Sequence, residues 1–150
     1  MFLTSSPTSD KRKHRLMFRD AWKKHLAGVE LNPLEKQIVD VVQEHPEYHT
    51  AVSSLRDEDE IESRDLSRGA TVENPFLHMG LHLALREQVG TDRPSGIKLI
   101  TRQLLQKYPD EGHRVEHLMM EKLAESLWEA QQAQRAPDER IYMEQLRRLV

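Results

Sequence analysis

Twice along the chain an Asn-Pro pair stands directly before an amphipathic run. Asn32-Pro33 precedes L-E-K-Q-I-V-D-V-V, and Asn74-Pro75 precedes F-L-H-M-G-L-H-L-A-L-R-E-Q-V. An asparagine side chain accepts from the free amides of a first helical turn, and proline suits the next position because it has no N–H to satisfy. Glu35, three residues after Asn32, completes a capping box. Apolar residues spaced by three and four follow each start, which commits the chain to helices. No segment alternates as a half-buried strand would. Neither a glycine-rich phosphate loop nor a G-x-S-x-G elbow is present.

The remaining punctuation divides the chain further. A first helix is expected from about Asp10 to Ala27, closed by Gly28, which tolerates positive φ. The helix capped by Asn32 should reach about His45, where Pro46 interrupts, and a shorter turn or helix should cover Glu47 to Leu55. A polar connection at about 56–73 follows. Its acidic run D-E-D-E-I-E at 57–62 reads as a solvated face, since it lacks the turn glycine of an EF-hand loop. The helix from Asn74 should end near Gly90. Further helices are expected from Ser95 to Lys107, from an Asp110 cap to about Gln134, and from Pro137-Asp138 to the end. The expectation is an all-α, compact helical bundle of about five to six helices. A flexible tail at 1–9 should precede a single domain at 10–150, since 150 residues suit one domain.

Composition narrows the function classes. There is no cysteine, which excludes a zinc ribbon, an iron–sulfur cluster and a thiolate nucleophile, and fits a reducing, cytoplasmic setting. The N-terminus lacks the apolar core of a secretory leader, and no stretch approaches the ~20 apolar residues of a membrane span. The 22 basic and 25 acidic residues are well mixed and leave a net charge of −3, without the basic excess of a dedicated nucleic-acid binder. The one basic cluster, K-R-K-H-R at 11–15, reads as a solvated helix start.

Eight histidines, at 14, 25, 45, 49, 78, 82, 113 and 117, are the feature that carries chemistry. At about 100° per residue, His78 and His82 fall on the side of Leu85 and Val89. His113, Glu116 and His117 align with a stripe of Met120, Leu123, Ala124 and Leu127, with Glu121 at its edge. His45 falls among Leu34, Ile38, Val41 and Val42. Imidazoles four apart on a helix can grip one ion, and packed helices are close enough for two such pairs to converge. Both pairs lie in the first two turns of their helices, and one helix separates them, so both should reach the same end of the bundle. Candidate metal residues are therefore His78, His82, His113, His117 and His45, with Glu116 or Glu121 as a further ligand, a partner fixing an imidazole tautomer, or a base. The donor types admit zinc, iron or manganese, among others. The letters H-R-V-E-H at 113–117 also spell the inverzincin pattern H-x-x-E-H, but only 33 residues follow, too few for such a protease.

Four stretches, N-P-L-E-K-Q-I-V-D-V-V-Q-E-H-P-E-Y-H (32–49), N-P-F-L-H-M-G-L-H-L-A-L-R-E-Q-V (74–89), T-D-R-P-S-G-I (91–97) and H-R-V-E-H-L-M-M-E-K-L-A-E-S-L-W-E-A (113–130), resemble a bacterial family, domain of unknown function 1841. The resemblance runs from about Lys11 to Tyr142 and implies a small, cytoplasmic, single-domain protein; it implies no activity and no catalytic residue. In ligand style alone, the chain is similar to hemerythrin-like and DinB-like four-helix proteins. Three functional readings stand on the sequence. One is a metal-binding helical bundle using core-facing His-x-x-x-His pairs. Another is a non-enzymatic interaction or adaptor domain with structural histidines and a protein partner. A third places a phosphate or nucleotide at Arg86, Arg93 and the T-D-R-P-S-G loop.

Overall fold

The computed structural model describes residues 7–56 and 74–150, with side chains from residue 13. All but the first residue of the expected polar connection at 56–73, including its acidic run, and most of the expected tail at 1–9, lie outside the described residues. All described regular structure is helical: α1 (Pro7–Leu26), α2 (Pro33–Gln43), a 3-10 turn (Pro46–Tyr48), α3 (His49–Ser53), α4 (Pro75–Thr91), α5 (Ile97–Lys107), α6 (Gly112–Gln132) and α7 (Glu139–Arg147). This is the all-α class that the sequence implies, with seven α-helices among the described residues rather than five to six. No helix among the described residues is long and apolar enough to cross a membrane. The chain divides into two compact units, residues 1–65 and 66–150.

In the first unit, α1 packs on α2 and α3. Phe18, Ala21 and Trp22 of α1, Ile38, Val39, Val41 and Val42 of α2, and Val52 of α3 are buried. Each such side chain contributes about 1.5–3 kcal/mol by leaving water. The capping box forms as expected: Asn32 Oδ1 accepts from Glu35 N at 2.8 Å, and Glu35 Oε1 accepts from Asn32 N at 2.9 Å. The other oxygen of Glu35 receives Lys24 Nζ at 2.6 Å, tying the end of α1 to the start of α2. Gly28 takes φ 71°, the left-handed residue that closes α1.

The second unit is built on α4–α7. Leu81 and Leu85 of α4, Ile97, Ile100 and Leu104 of α5, Val115, Met119, Met120 and Leu123 of α6, and Tyr142, Met143 and Leu146 of α7 form one core cluster. Tyr142 is deeply buried, and its hydroxyl donates to Gln88 Oε1 at 2.7 Å, satisfying the polar end of the ring. Asn74 caps α4 by accepting from Phe76 N and Leu77 N, and Asp138 caps α7 in the same way through Arg140 N and Ile141 N. The expected cap at Asp110 is a correction. Asp110 adopts φ 62°, in the left-handed region that aspartate tolerates, and α6 starts two residues later behind Glu111, whose side chain makes no capping bond.

Two stability outcomes follow from this packing. Leu104, fully buried in the second unit, should cost about 2–5 kcal/mol when replaced by alanine, measured by urea unfolding followed by circular dichroism. In the first unit, burial and, less strongly, the charge of Arg15 hold the His14 pKa below its ordinary 6.5. The folded state therefore binds fewer protons there than the unfolded chain. Its contribution is complete above about pH 6.5 and is lost as pH falls from there through the depressed folded value. Each unit carries one of the two tryptophans, Trp22 and Trp128. With Trp128→Phe, Trp22 fluorescence in urea should report a midpoint that falls between pH 7 and pH 5, and His14→Gln should flatten that slope.

Candidate metal centre

α4 and α6 share the most extensive packing within the second unit, and the N-terminal turns of both carry histidines four residues apart. The Nε2 atoms of the two pairs are brought together. His82 Nε2 stands 3.2 Å from His78 Nε2 and 3.2 Å from His117 Nε2, and His117 Nε2 stands 2.9 Å from His113 Nε2. Ring centroids are 4.9 Å apart for His78–His82 and His78–His117, and 5.0 Å apart for His82–His113. One donor nitrogen from each of His78, His82 and His117 lies within 4.8 Å of the others. The question raised by spacing alone, whether two pairs on separate helices converge, has a positive answer.

These separations match those of ligands around an ion. Nitrogens about 2.0–2.1 Å from a zinc ion stand about 3.3 Å apart in a tetrahedron and about 2.9 Å apart at right angles. The orientation of His82 is fixed from behind. Its Nδ1 lies 2.5 Å from Glu116 Oε1. Arg86 grips the same carboxylate with a fork, Nε to Oε2 at 2.9 Å and Nη2 to Oε1 at 3.0 Å. Burial raises the Glu116 pKa, but the hydrogen bonds from His82 and Arg86, and their charges, outweigh it and bring the pKa down to about 2. The carboxylate is therefore ionised at neutral pH and can only accept, so His82 carries its proton on Nδ1. In the neutral ring this leaves the lone pair on Nε2, aimed at the other histidines. A carboxylate behind a ligating imidazole is the usual device for fixing tautomer and raising basicity.

Hydrogen bonding alone serves the four rings less well. Each neutral Nε2 holds either a proton or a lone pair. With the lone pair on His82, both His78 and His117 must donate to it, and the single proton of His117 must also serve His113. A cation among the nitrogens would meet their lone pairs together.

The structure redistributes the residues singled out from sequence. Glu116 takes the tautomer-fixing role among the three considered for it, and neither Glu116 nor Glu121 joins the group of mutually close donor atoms. Glu121 is exposed. His82 is fully buried and His78 half-buried, but His113 and His117 are exposed, so the second pair is not core-facing. The buried arc of α6 runs through Val115, Met119 and Leu123, about 200° around the helix from the histidines two residues before each of the first two. His45 belongs to the first unit, where it is buried, donates Nδ1–H to Val41 O at 2.8 Å and stacks on Tyr48. His49 in the same unit bonds the carbonyl of Val42 at 2.8 Å.

Arg86 is the contributor that sequence reasoning missed. Its spacing of four from His82 was the available signal, since that puts it one turn further along the same face. The T-D-R-P-S-G loop holds its own anion: Asp92 Oδ1 accepts from Gly96 N at 3.2 Å and Lys98 N at 3.0 Å, occupying the start of α5. With Arg86 committed to Glu116, the phosphate reading loses its anchor. The cleft beside α7, walled by Lys122, Glu125, Arg135 and Asp138, includes none of the histidines.

No curated protein and no solved structure matches the chain. A family model matches residues 10–148, and the chain belongs to that family, a domain of unknown function, DUF1841.

Proposed function

We propose that the second unit is a metal-binding module that holds one transition-metal ion through the Nε2 atoms of His78, His82 and His117, with His113 at the rim. The observation that carries this reading is the convergence of those nitrogens at ligand-to-ligand spacing, with His82 held in its ligating tautomer by Glu116. An imidazole donor set suits zinc, copper, nickel and iron, whereas manganese and magnesium prefer carboxylate and water oxygens. The ion would act as a Lewis acid, and Arg86 and Glu116 hold the ligand set in register for it.

Purified untagged protein should carry close to one zinc, copper, nickel or iron ion per chain by elemental analysis, and a double His82→Ala, His117→Ala variant should carry none. Chains that stay metal-free after reconstitution with each of these ions would end the proposal. Glu116 acts through His82, so Glu116→Ala should weaken metal binding about 10–100-fold in competition with a chelator. Glu116→Gln keeps an acceptor for His82 Nδ1 and should lose less. A Glu116→Ala protein that binds as tightly as the parent would remove Glu116 from this role.

A further inference from the structure

We propose that His113 is the exchange ligand of the metal site: an ion enters and leaves along a row of imidazole nitrogens, and the unit passes its ion to an acceptor rather than keeping it. This rests on the metal reading of the same site. The first support is spacing. From the surface inward, His113 Nε2 stands 2.9 Å from His117 Nε2, and His117 Nε2 stands 3.2 Å from His82 Nε2. A metal–nitrogen bond is about 2.0–2.1 Å, so two nitrogens less than about 4.1 Å apart can hold one ion between them. Each neighbouring pair in the row meets that condition. An ion can therefore bond the next imidazole before it gives up the last. No position of the resting coordination sphere has to stand open, because each nitrogen takes the place of another.

The second support is the change in burial along the row. His113 and His117 are exposed, whereas His82 is fully buried. Bringing a bare charge into a protein interior is costly, and handing it from donor to donor avoids that cost. The third support is the difference between the two ends. His82 is fixed from behind by Glu116, which the Arg86 fork holds in turn. His113 is the second residue of α6, in a first turn whose preceding residue, Glu111, makes no capping bond with its side chain. Helix ends fray, and an uncapped one opens more easily, so the outer end of the row is the movable end. The acceptor is a second metal-binding molecule with nitrogen or sulfur donors, which meets the ion where the exposed histidines hold it.

Stopped-flow mixing of the full-length protein tests this. Zinc-loaded protein is mixed with the chromogenic chelator pyridylazoresorcinol to follow release. Apoprotein is mixed with zinc to follow uptake, and affinity is measured separately by competition. Release should quicken as chelator concentration rises, because the chelator takes the ion while the outer histidines still hold it. His113→Gln should slow uptake and release by the same several-fold factor and leave the affinity unchanged. His113→Cys, which returns a donor to that position, should recover both rates. Loss of an ordinary resident ligand would do the reverse at one step, weakening binding and making release faster. That outcome in His113→Gln would overturn the inference and leave the metal reading intact. So would unchanged rates in His113→Gln, rates in His113→Cys that stay as slow as in His113→Gln, or release that ignores chelator concentration. Protein that takes up none of zinc, copper, nickel and iron would instead overturn the metal reading, and the inference with it.

Discussion

The Glu116 carboxylate is the interaction on which the histidine cluster depends. It comes from α6, and both of its partners come from α4, one turn apart: the Nδ1 of His82 and the guanidinium of Arg86. Charge-assisted, bidentate hydrogen bonds are among the strongest polar contacts available to a protein, and partial burial removes competing water. The pair therefore sets both the register of the two helices at this end and the direction in which His82 points its Nε2. Remove the carboxylate, and His82 loses the reason to keep its proton on the far side of the ring.

The first unit shows the ordinary fate of a buried histidine, and the contrast is informative. His45 and His49 each give a ring N–H to a backbone carbonyl of α2, at 2.8 Å in both cases. A helix end offers such carbonyls freely, so one histidine there needs no other explanation. In the second unit the three close Nε2–Nε2 pairs link four imidazoles at an end where helix amides rather than carbonyls are exposed. No comparable backbone acceptor supply exists at helix N-termini, and the rings turn to one another and to Glu116.

What could be read from the sequence was what is local. The caps at Asn32 and Asn74, the helix start at Pro137-Asp138, the closing Gly28 and the capping-box Glu35 each depend on residues within a turn, and all form. The convergence of two H-x-x-x-H pairs was also accessible, because it follows from spacing and from one intervening helix. Asp110 resembled a cap for the same local reasons, but the chain leaving α5 turns there through a left-handed residue, which depends on where α6 must dock. Met120 and Leu123 are buried, but Ala124 and Leu127 are only partly so, and Val115 and Met119, absent from the expected stripe, shift the centre of the buried arc away from His113 and His117. Arg86 entered the sequence reading only as a candidate for holding a phosphate or nucleotide. Its role is visible only once α6 supplies Glu116, 30 positions away in sequence.

That long span has a mechanical meaning. His82 and Glu116 are 34 residues apart, and His82 and His117 are 35 apart, with all of α5 in between. In a chain without a single cysteine, these contacts join the ends of a loop that a disulfide could otherwise close. A cross-link across such a span removes freedom chiefly from the unfolded chain. An ion shared by α4 and α6 would do the same in a reversible way, fastened by metal supply and released without any redox chemistry.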